Sequence, residues 1–300
     1  MIYCYRFNYT GHRPERTGDE DPGSFGKLAA VFCGEALAWG QEGHSIVAEI
    51  AQRRLSPEAA RAAEQLLGRG HSLASIASWA DDVRDARPET FNWHFVDIPL
   101  GVPKYNAGRD CAKDAKSGFC LIAELDALRN DVRCASGSDQ VEALKFAVHF
   151  VGDIHQPLHT VHEAEGGNDI KVDLFMRGQV CGGTCEPGHM PTNFHAAWDF
   201  GLIEKVVFDW GAYVDRVEHG WLKSPEAMRP GIDGGTFVDW AEETHALAPI
   251  VWNGRRADDV LDDRYLRDVQ PILDRQLGVA GLRLAKFLNE AFSSRDCPVR

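Results

Sequence analysis

Apolar residues recur at helical spacing along most of this 300-residue chain. The pattern opens over 44–55, and Ser56-Pro57 then supplies an N-cap and a first-turn proline for a helix over 58–67. The same spacing predicts helices over 72–86, 119–133, 139–156, 193–208, 236–251 and 262–292. One stretch alternates instead: Asp169-Ile170-Lys171-Val172-Asp173-Leu174, preceded by Gly166-Gly167, reads as one strand of a small hairpin. No repeat, low-complexity run or linker interrupts the chain after Trp39. The expectation is a single all-α domain over 39–300, mainly helical with a small β-hairpin.

Residues 1–26 lack this periodicity and are broken by Gly and Pro. A short apolar run from Leu28 to Cys33 and an interrupting Glu35 lead to Ala36-Leu37-Ala38, directly before Trp39. Small-x-small ahead of a break is the cleavage pattern of a secretory signal. Residues 1–38 are therefore expected to be a secretory leader, or an extension from a start assigned too far upstream, removed before Trp39. The product would be secreted or periplasmic; the alternative is an uncleaved tail. Six cysteines follow Trp39, namely Cys111, Cys120, Cys134, Cys181, Cys185 and Cys297, enough for three bridges in an oxidising compartment. Cys181-Gly-Gly-Thr-Cys185 has the form of half a zinc knuckle, but no second pair at metal spacing follows, which favours a local disulfide or free thiols.

Charge first narrows the function and then misleads. With 45 Asp+Glu against 32 Lys+Arg the net charge is −13, and such a chain is not the usual basic, backbone-neutralising nucleic-acid binder. No stretch approaches the ~18–20 apolar residues of a membrane span.

The informative chemistry is histidine with carboxylate at fixed offsets. His149 and Asp153 are four apart, about one helical turn, ~6 Å, so both face one side and can grip one cation. The offset recurs in His195 and Asp199, while Gln156-Pro157-Leu158-His159 breaks the first helix and delivers His159 at its end. Asp81 and His94 are further candidates. Each alone is an ordinary surface residue or salt bridge; imidazole with carboxylate and no thiolate, taken together, suits a catalytic zinc site. His155 falls on another helix face and reads as structural, and His71, His162, His189, His219 and His245 lack such partners.

Trp39-x4-His44, Ser75-Ile76-Ala77-Ser78-Trp79-Ala80-Asp81, His94-Phe95-x-Asp97, His149-Phe150-x-Gly152-Asp153, Gln156-Pro157-Leu158-His159, Gly166-Gly167-Asn168 and His195-x3-Asp199 occur in that order. Together they resemble the zinc-dependent single-strand nuclease and 3′-nucleotidase family (nuclease S-one/P-one type). The likeness is specific over 39–199 and weaker beyond, where Gly281 to Ala285 and Leu288-Asn289-Glu290 are similar to the family's last helix. The resemblance implies the mainly helical fold shared with zinc-dependent phospholipase C, and three Zn²⁺ ions per chain. Asp81, His94 and His149 would hold the first, with Asp153 bridging to the second. That second ion would also take His44 and the α-amino group and carbonyl of Trp39, which requires cleavage before Trp39. His159, His195 and Asp199 would hold the third.

The implied reaction is hydrolysis of single-stranded DNA or RNA to 5′-nucleotides, with 3′-nucleotidase activity, by a hydroxide shared between two zinc ions. Arg84 would help stabilise developing charge, Phe95 would stack on a base, Asp97 would bond its edge, and Asn168 would line the same loop. Glu165 stands where the family places an apolar residue opposite the ring. A family disulfide transfers to Cys111 and Cys120; no pairing is implied for the other cysteines. The implied partners are single-stranded nucleic acid and 3′-nucleotides, acted on by a monomer. Two rivals compete: a zinc phospholipase C, whose family has a longer Trp-to-His spacing and a Glu where Asp199 stands, and a non-catalytic zinc-binding protein, which would need no Phe95, Asp97 or Arg84.

Overall fold

The Gln41–Gln52 helix carries apolar residues around most of its surface and is buried accordingly, with Ile46, Val47 and Ile50 inaccessible to solvent. It lies against a 31-residue helix, Asp263–Ser293, which runs through Pro271 without ending. Their contact is close: a Cβ on Gly281 would stand 2.3 Å from Ile50 Cγ2, so only glycine allows this approach. These two helices, with Leu121–Cys134 and Ser138–Asp153 packed on each other, surround a continuous apolar core. The computed structural model describes residues 39–176, 188–207, 209–293 and Cys297; the expected leader over 1–38 and the Cys181/Cys185 pair lie outside them. Among the described residues no helix is long and apolar enough to cross a membrane.

The mainly helical expectation holds, and local chemistry explains the departures. Pro57–Leu67 begins as expected, with the Ser56 hydroxyl accepting a hydrogen bond from Ala59 N. The helix expected over 72–86 is broken into a 3₁₀ turn, Ala74–Ile76, and a helix, Trp79–Arg84. Ser72 and Ser75 bond to each other's backbone and divert the chain from the helical ladder. The helix expected over 236–251 is two, Phe237–His245 and Ala248–Asn253, because Pro249 permits a first turn and forbids a continuous ladder. Trp210–His219 is a helix the periodicity missed; Asp209 caps it, and it buries Tyr213, Val214 and Val217.

The expected hairpin is part of a larger unit. Strand β1 (Lys171–Phe175) pairs antiparallel with β2 (His189–Asn193), Lys171 opposite Asn193. On its other edge it pairs parallel with the short β3 (Val260–Leu261), giving a three-stranded sheet of order β2-β1-β3. Cys111 and Cys120 are bridged, as the resemblance implied, and a second disulfide joins Cys134 to Cys297.

Candidate metal centre

Three buried His/Asp groups, any of which could hold a metal ion, meet at the ends of these elements: His44, His149 and Asp153; Asp81, His94 and His149; and His159, His195 and Asp199. Ser138–Asp153 supplies His149 and Asp153 from its last turn and stops there, three residues short of the expected end. The 3₁₀ turn Pro157–Thr160 then returns the chain with His159 pointing inward. His195 and Asp199 lie on the helical run 194–206, which is not a regular α-helix: a π turn, Ala197–Gly201, sits in its middle. Within it, His195 Nε2 and Asp199 Oδ2 face each other at 3.5 Å.

Asp153 joins two of the groups. Its Oδ1 is 3.3 Å from His44 Nε2, and its Oδ2 is 3.1 Å from His94 Nδ1 and 3.3 Å from His149 Nε2. Asp81 Oδ1 completes that side, 3.6 Å from His94 Nδ1 and 3.5 Å from His149 Nε2. These separations match a cation's coordination shell. Donors at ~2.0–2.1 Å from a tetrahedral zinc are ~3.3 Å apart.

Carbonyl oxygens fix which nitrogen each ring presents. His149 Nδ1–H donates to Ala77 O at 2.7 Å, His159 Nδ1–H to His94 O at 2.7 Å, and His195 Nδ1–H to Gly166 O at 2.8 Å. Each bond turns Nε2 toward its group, which is how ligating histidines are oriented. The break before Trp79 contributes here. Asp81 N bonds to Ser78 O, so Ala77 O is left to His149. Gln156 has a role the sequence did not disclose: its Nε2 donates to Asp199 Oδ1 at 2.7 Å while its Oε1 accepts from Leu158 N. Gly152 and Gly166 make room for rings, since a Cβ would come within 2.7 Å of His44 Nδ1 at the first and of Leu158 O at the second. His155 is structural as expected, with Nδ1–H donating to Val151 O and Nε2 accepting from Arg283.

Several polar atoms of these groups are orphaned, among them carboxylate oxygens and the His44 nitrogen that face the places a cation would take. Both nitrogens of His44, both oxygens of Asp81, His94 Nε2, Asp153 Oδ1 and Asp199 Oδ2 are buried without a hydrogen bond. Buried polar atoms are otherwise paired, so this cluster fits a group absent from the protein chain itself. Electrostatics agree. Burial pushes the Asp153 carboxyl up, but His149 beside it outweighs that and holds it well below the usual range; Asp81 is lowered against burial in the same way. Burial lowers His44 to about 4 and lowers His94 and His195 too, keeping those rings neutral and available as donors. Burial is overcome by Asp153 and Asp81 at His149, and by Asp153 and Asp199 at His159, and both are raised.

Trp39 is fully buried, donates Nε1–H to Gly152 O at 2.9 Å, and stands beside the first turn of Gln41–Gln52. A separate cavity of about 240 Å³ is lined by Phe95, Asp97, Asn92, Arg109 and His162 near the Cys111–Cys120 bridge. His162, which the sequence left as an ordinary residue, faces Asp97 with 3.9 Å between Nδ1 and Oδ1. Burial pushes the Asp97 carboxyl up; His162 opposes this, and the charges of Asp110 and Glu165 add to it. Arg84 ends the Asp81 helix with its guanidinium 5.3 Å from the Phe91 ring centre, and Phe91 meets Phe95 edge to face. Asn168 donates its amide to Glu165 O at 2.9 Å, closing a turn in which Ala164 and Glu165 hold left-handed backbone.

A family model described as S1/P1 nuclease matches residues 39–293. Nuclease PA3 of Penicillium sp is 33% identical over 279 residues, covering 85% of this chain and 98% of that protein. Nuclease P1 of Penicillium citrinum is 32% identical over 283 residues with the same coverage, and endonuclease 2 of Arabidopsis thaliana is 28% identical over 286 residues, covering 85% and 90%. The match starts at the buried Trp39 and runs to the end of the last helix, taking in all three His/Asp groups, and the chain belongs to the S1/P1 nuclease family.

Proposed function

We propose that this chain is a zinc-dependent phosphodiesterase that hydrolyses single-stranded DNA and RNA to 5′-nucleotides and also acts as a 3′-nucleotidase. Family membership supports a nuclease function. The observation that carries the finer reading is the buried Asp153 carboxylate, turned by one oxygen to His44 and by the other to His94 and His149. Such sharing suits paired ions, and an all-nitrogen-and-oxygen donor set suits zinc. Asp81, His94, His149 and Asp153 would hold one ion. Asp153, His44 and the amine and carbonyl of Trp39 would hold a second, and His159, His195 and Asp199 a third. Bound zinc supplies an activated water and neutralises phosphoryl oxygens.

The chain's own groups do the rest. Ionised Asp81 accepts a hydrogen bond from the attacking water, Arg84 meets the charge that develops on the phosphoryl group, Phe95 stacks on the base, and Asp97 bonds its edge, with Asn168 at the neighbouring loop. Stacking is tolerant of base identity, and a duplex hides its base faces, so this platform selects single strands. A ligating α-amine requires processing before Trp39, and the two disulfides suit a secreted or periplasmic monomer.

Metal analysis and N-terminal sequencing of the exported protein, with assay on single-stranded DNA and 3′-nucleotides, test this together. Three zinc per chain, a Trp39 start and release of 5′-nucleotides are expected. Tight zinc without phosphodiesterase activity, or phosphocholine release from lecithin instead, overturns the reading.

A further inference from the structure

Five large hydrophobic side chains are exposed among the described residues, and both phenylalanines among them are next in sequence to residues that line the Phe95 cavity. Phe91 is 43% exposed and adjoins Asn92; Phe119 is 39% exposed and adjoins Cys120; Asn92 and Cys120 line the cavity. Their segments are tied together. Asn92 N donates to Ser117 O at 2.9 Å, and Leu121 N donates to Phe95 O at 3.0 Å. Each ring also carries a cation: the Arg84 guanidinium lies 5.3 Å from the centre of Phe91, and Lys113 Nζ lies 5.0 Å from the centre of Phe119.

A single exposed phenylalanine calls for no explanation. Two of them, each beside a cation and on segments that supply the lining of one cavity in a strongly acidic chain, make a pattern with a chemical match. Single-stranded nucleic acid alternates a flat base with an anionic phosphate, and an aromatic face next to a Lys or Arg meets both. The Phe91 ring meets the cavity-lining Phe95 edge to face, its centre 5.9 Å from that of Phe95 at an interplanar angle of 83°.

We infer that Phe91 and Phe119, with Arg84 and Lys113, form stacking steps on either side of Phe95, so that the site binds the bases flanking the cleaved position in an extended single strand. This rests on the proposed reading of Phe95 as the base platform. The steps add nothing for a mononucleotide, which spans only the central position, and nothing for a duplex, whose faces are stacked inside.

The test uses the processed, zinc-loaded protein on a single-stranded decamer and on a 3′-mononucleotide, reading the ratio of the two kcat/KM values. Phe91→Ala and Phe119→Ala are each expected to lower that ratio about tenfold, mainly through the decamer KM. Tyr at either position is expected to restore it, and Leu is not. Because the comparison is a ratio, any shift of Arg84 that slows chemistry on both substrates cancels. A ratio unchanged within twofold in both alanine variants overturns the inference while leaving the proposed activity standing. If the unaltered enzyme cleaves neither substrate, the proposed function fails and takes this inference with it. Phe95→Ala separates the layers further: a raised KM for the mononucleotide supports the platform, and an unchanged one removes it and the steps built on it.

Discussion

Replacing Asp153 by Asn preserves shape and removes only what the carboxylate does electronically. The side chain is fully buried, so the change is not diluted by solvent. Both oxygens are engaged, Oδ1 toward His44 and Oδ2 toward His94 and His149, at 3.1–3.3 Å. An amide keeps one oxygen acceptor, turns the other atom into a donor with no lone pair to offer, and carries no charge. Whichever way the amide is turned, one of the two groups faces an N–H.

Zinc held with about 10–16 kcal/mol shared by four ligands draws about 2.5–4 kcal/mol from each. Loss of an anionic ligand therefore weakens an ion by a factor on the order of 10²–10³. Since Asp153 serves two groups, two ions weaken together, while the His159, His195 and Asp199 group keeps its full donor set. After dialysis against a chelator that leaves the unaltered protein loaded, Asp153→Asn is expected to retain about one ion per chain instead of three. Turnover on single-stranded DNA should fall at least ~100-fold, with an unchanged far-ultraviolet circular dichroism spectrum. A full metal complement with near-normal turnover would show that the carboxylate is not the shared ligand.

The raised His149 and His159 rings lead to a second expectation. In the metal-free protein both rings keep their second proton to higher pH than a free imidazole, while His44, lowered to about 4, loses it earlier. A ligating nitrogen cannot keep its proton, so zinc uptake in weak buffer at or below about pH 6.5 should release protons from both rings and from the Trp39 α-amine, and affinity should fall as pH falls; no proton release would refute the assignment. Gln156→Leu removes the bond to Asp199 and the cap on Leu158 N, and should weaken the His159 group's ion by about 10–100-fold while sparing the other two, measured by competitive chelator titration. Binding of a single strand should depend only weakly on salt. With Arg84 and Lys113 as the phosphate contacts, the slope of log K against log salt is expected near −1.4, about −0.7 per contact, and a slope steeper than about −3 would point to a broad basic surface instead.

The His/Asp pairs of the buried groups were legible in the sequence because secondary structure converts a four-residue offset directly into direction, and the resemblance supplied the residues that offsets alone do not connect. His149 and Asp153 lie one turn apart, and Pro157 bounds their helix, which stops three residues before the expected end at 156. The elements that orient those ligands were less legible. The break before Trp79, which leaves Ala77 O to His149, depends on serine side chains bonding to backbone, and short serine runs also occur inside helices. The π turn at Ala197–Gly201 leaves no mark in apolar spacing, because one extra residue per turn looks like ordinary drift. Gln156 escaped notice for another reason: its partner Asp199 is 43 residues away, and only the folded chain makes them neighbours. The β3 edge of the sheet and the Cys134–Cys297 bridge are long-range pairings of the same kind.

Net charge misled for a related reason: it sums over positions, whereas recognition reads them. Of the acidic residues behind the −13 total, Asp81, Asp153 and Asp199 are buried in the His/Asp groups, where they face histidine rings and, on the proposed reading, would face ions rather than substrate. Their negative charge is what makes a cation, and through it a phosphate, welcome at that point. Exposed carboxylates elsewhere act over a Debye length of about 8–10 Å and repel a polyanion along its length. A protein so charged offers little broad basic surface for counterion release along a duplex, and the proposed reaction does not call for one. It can instead admit a strand at one place, where metal meets phosphate and aromatic rings meet bases. Repulsion over the rest of the surface then helps the product leave, so an acidic exterior and a nucleic-acid substrate are compatible whenever the attraction is confined to the site.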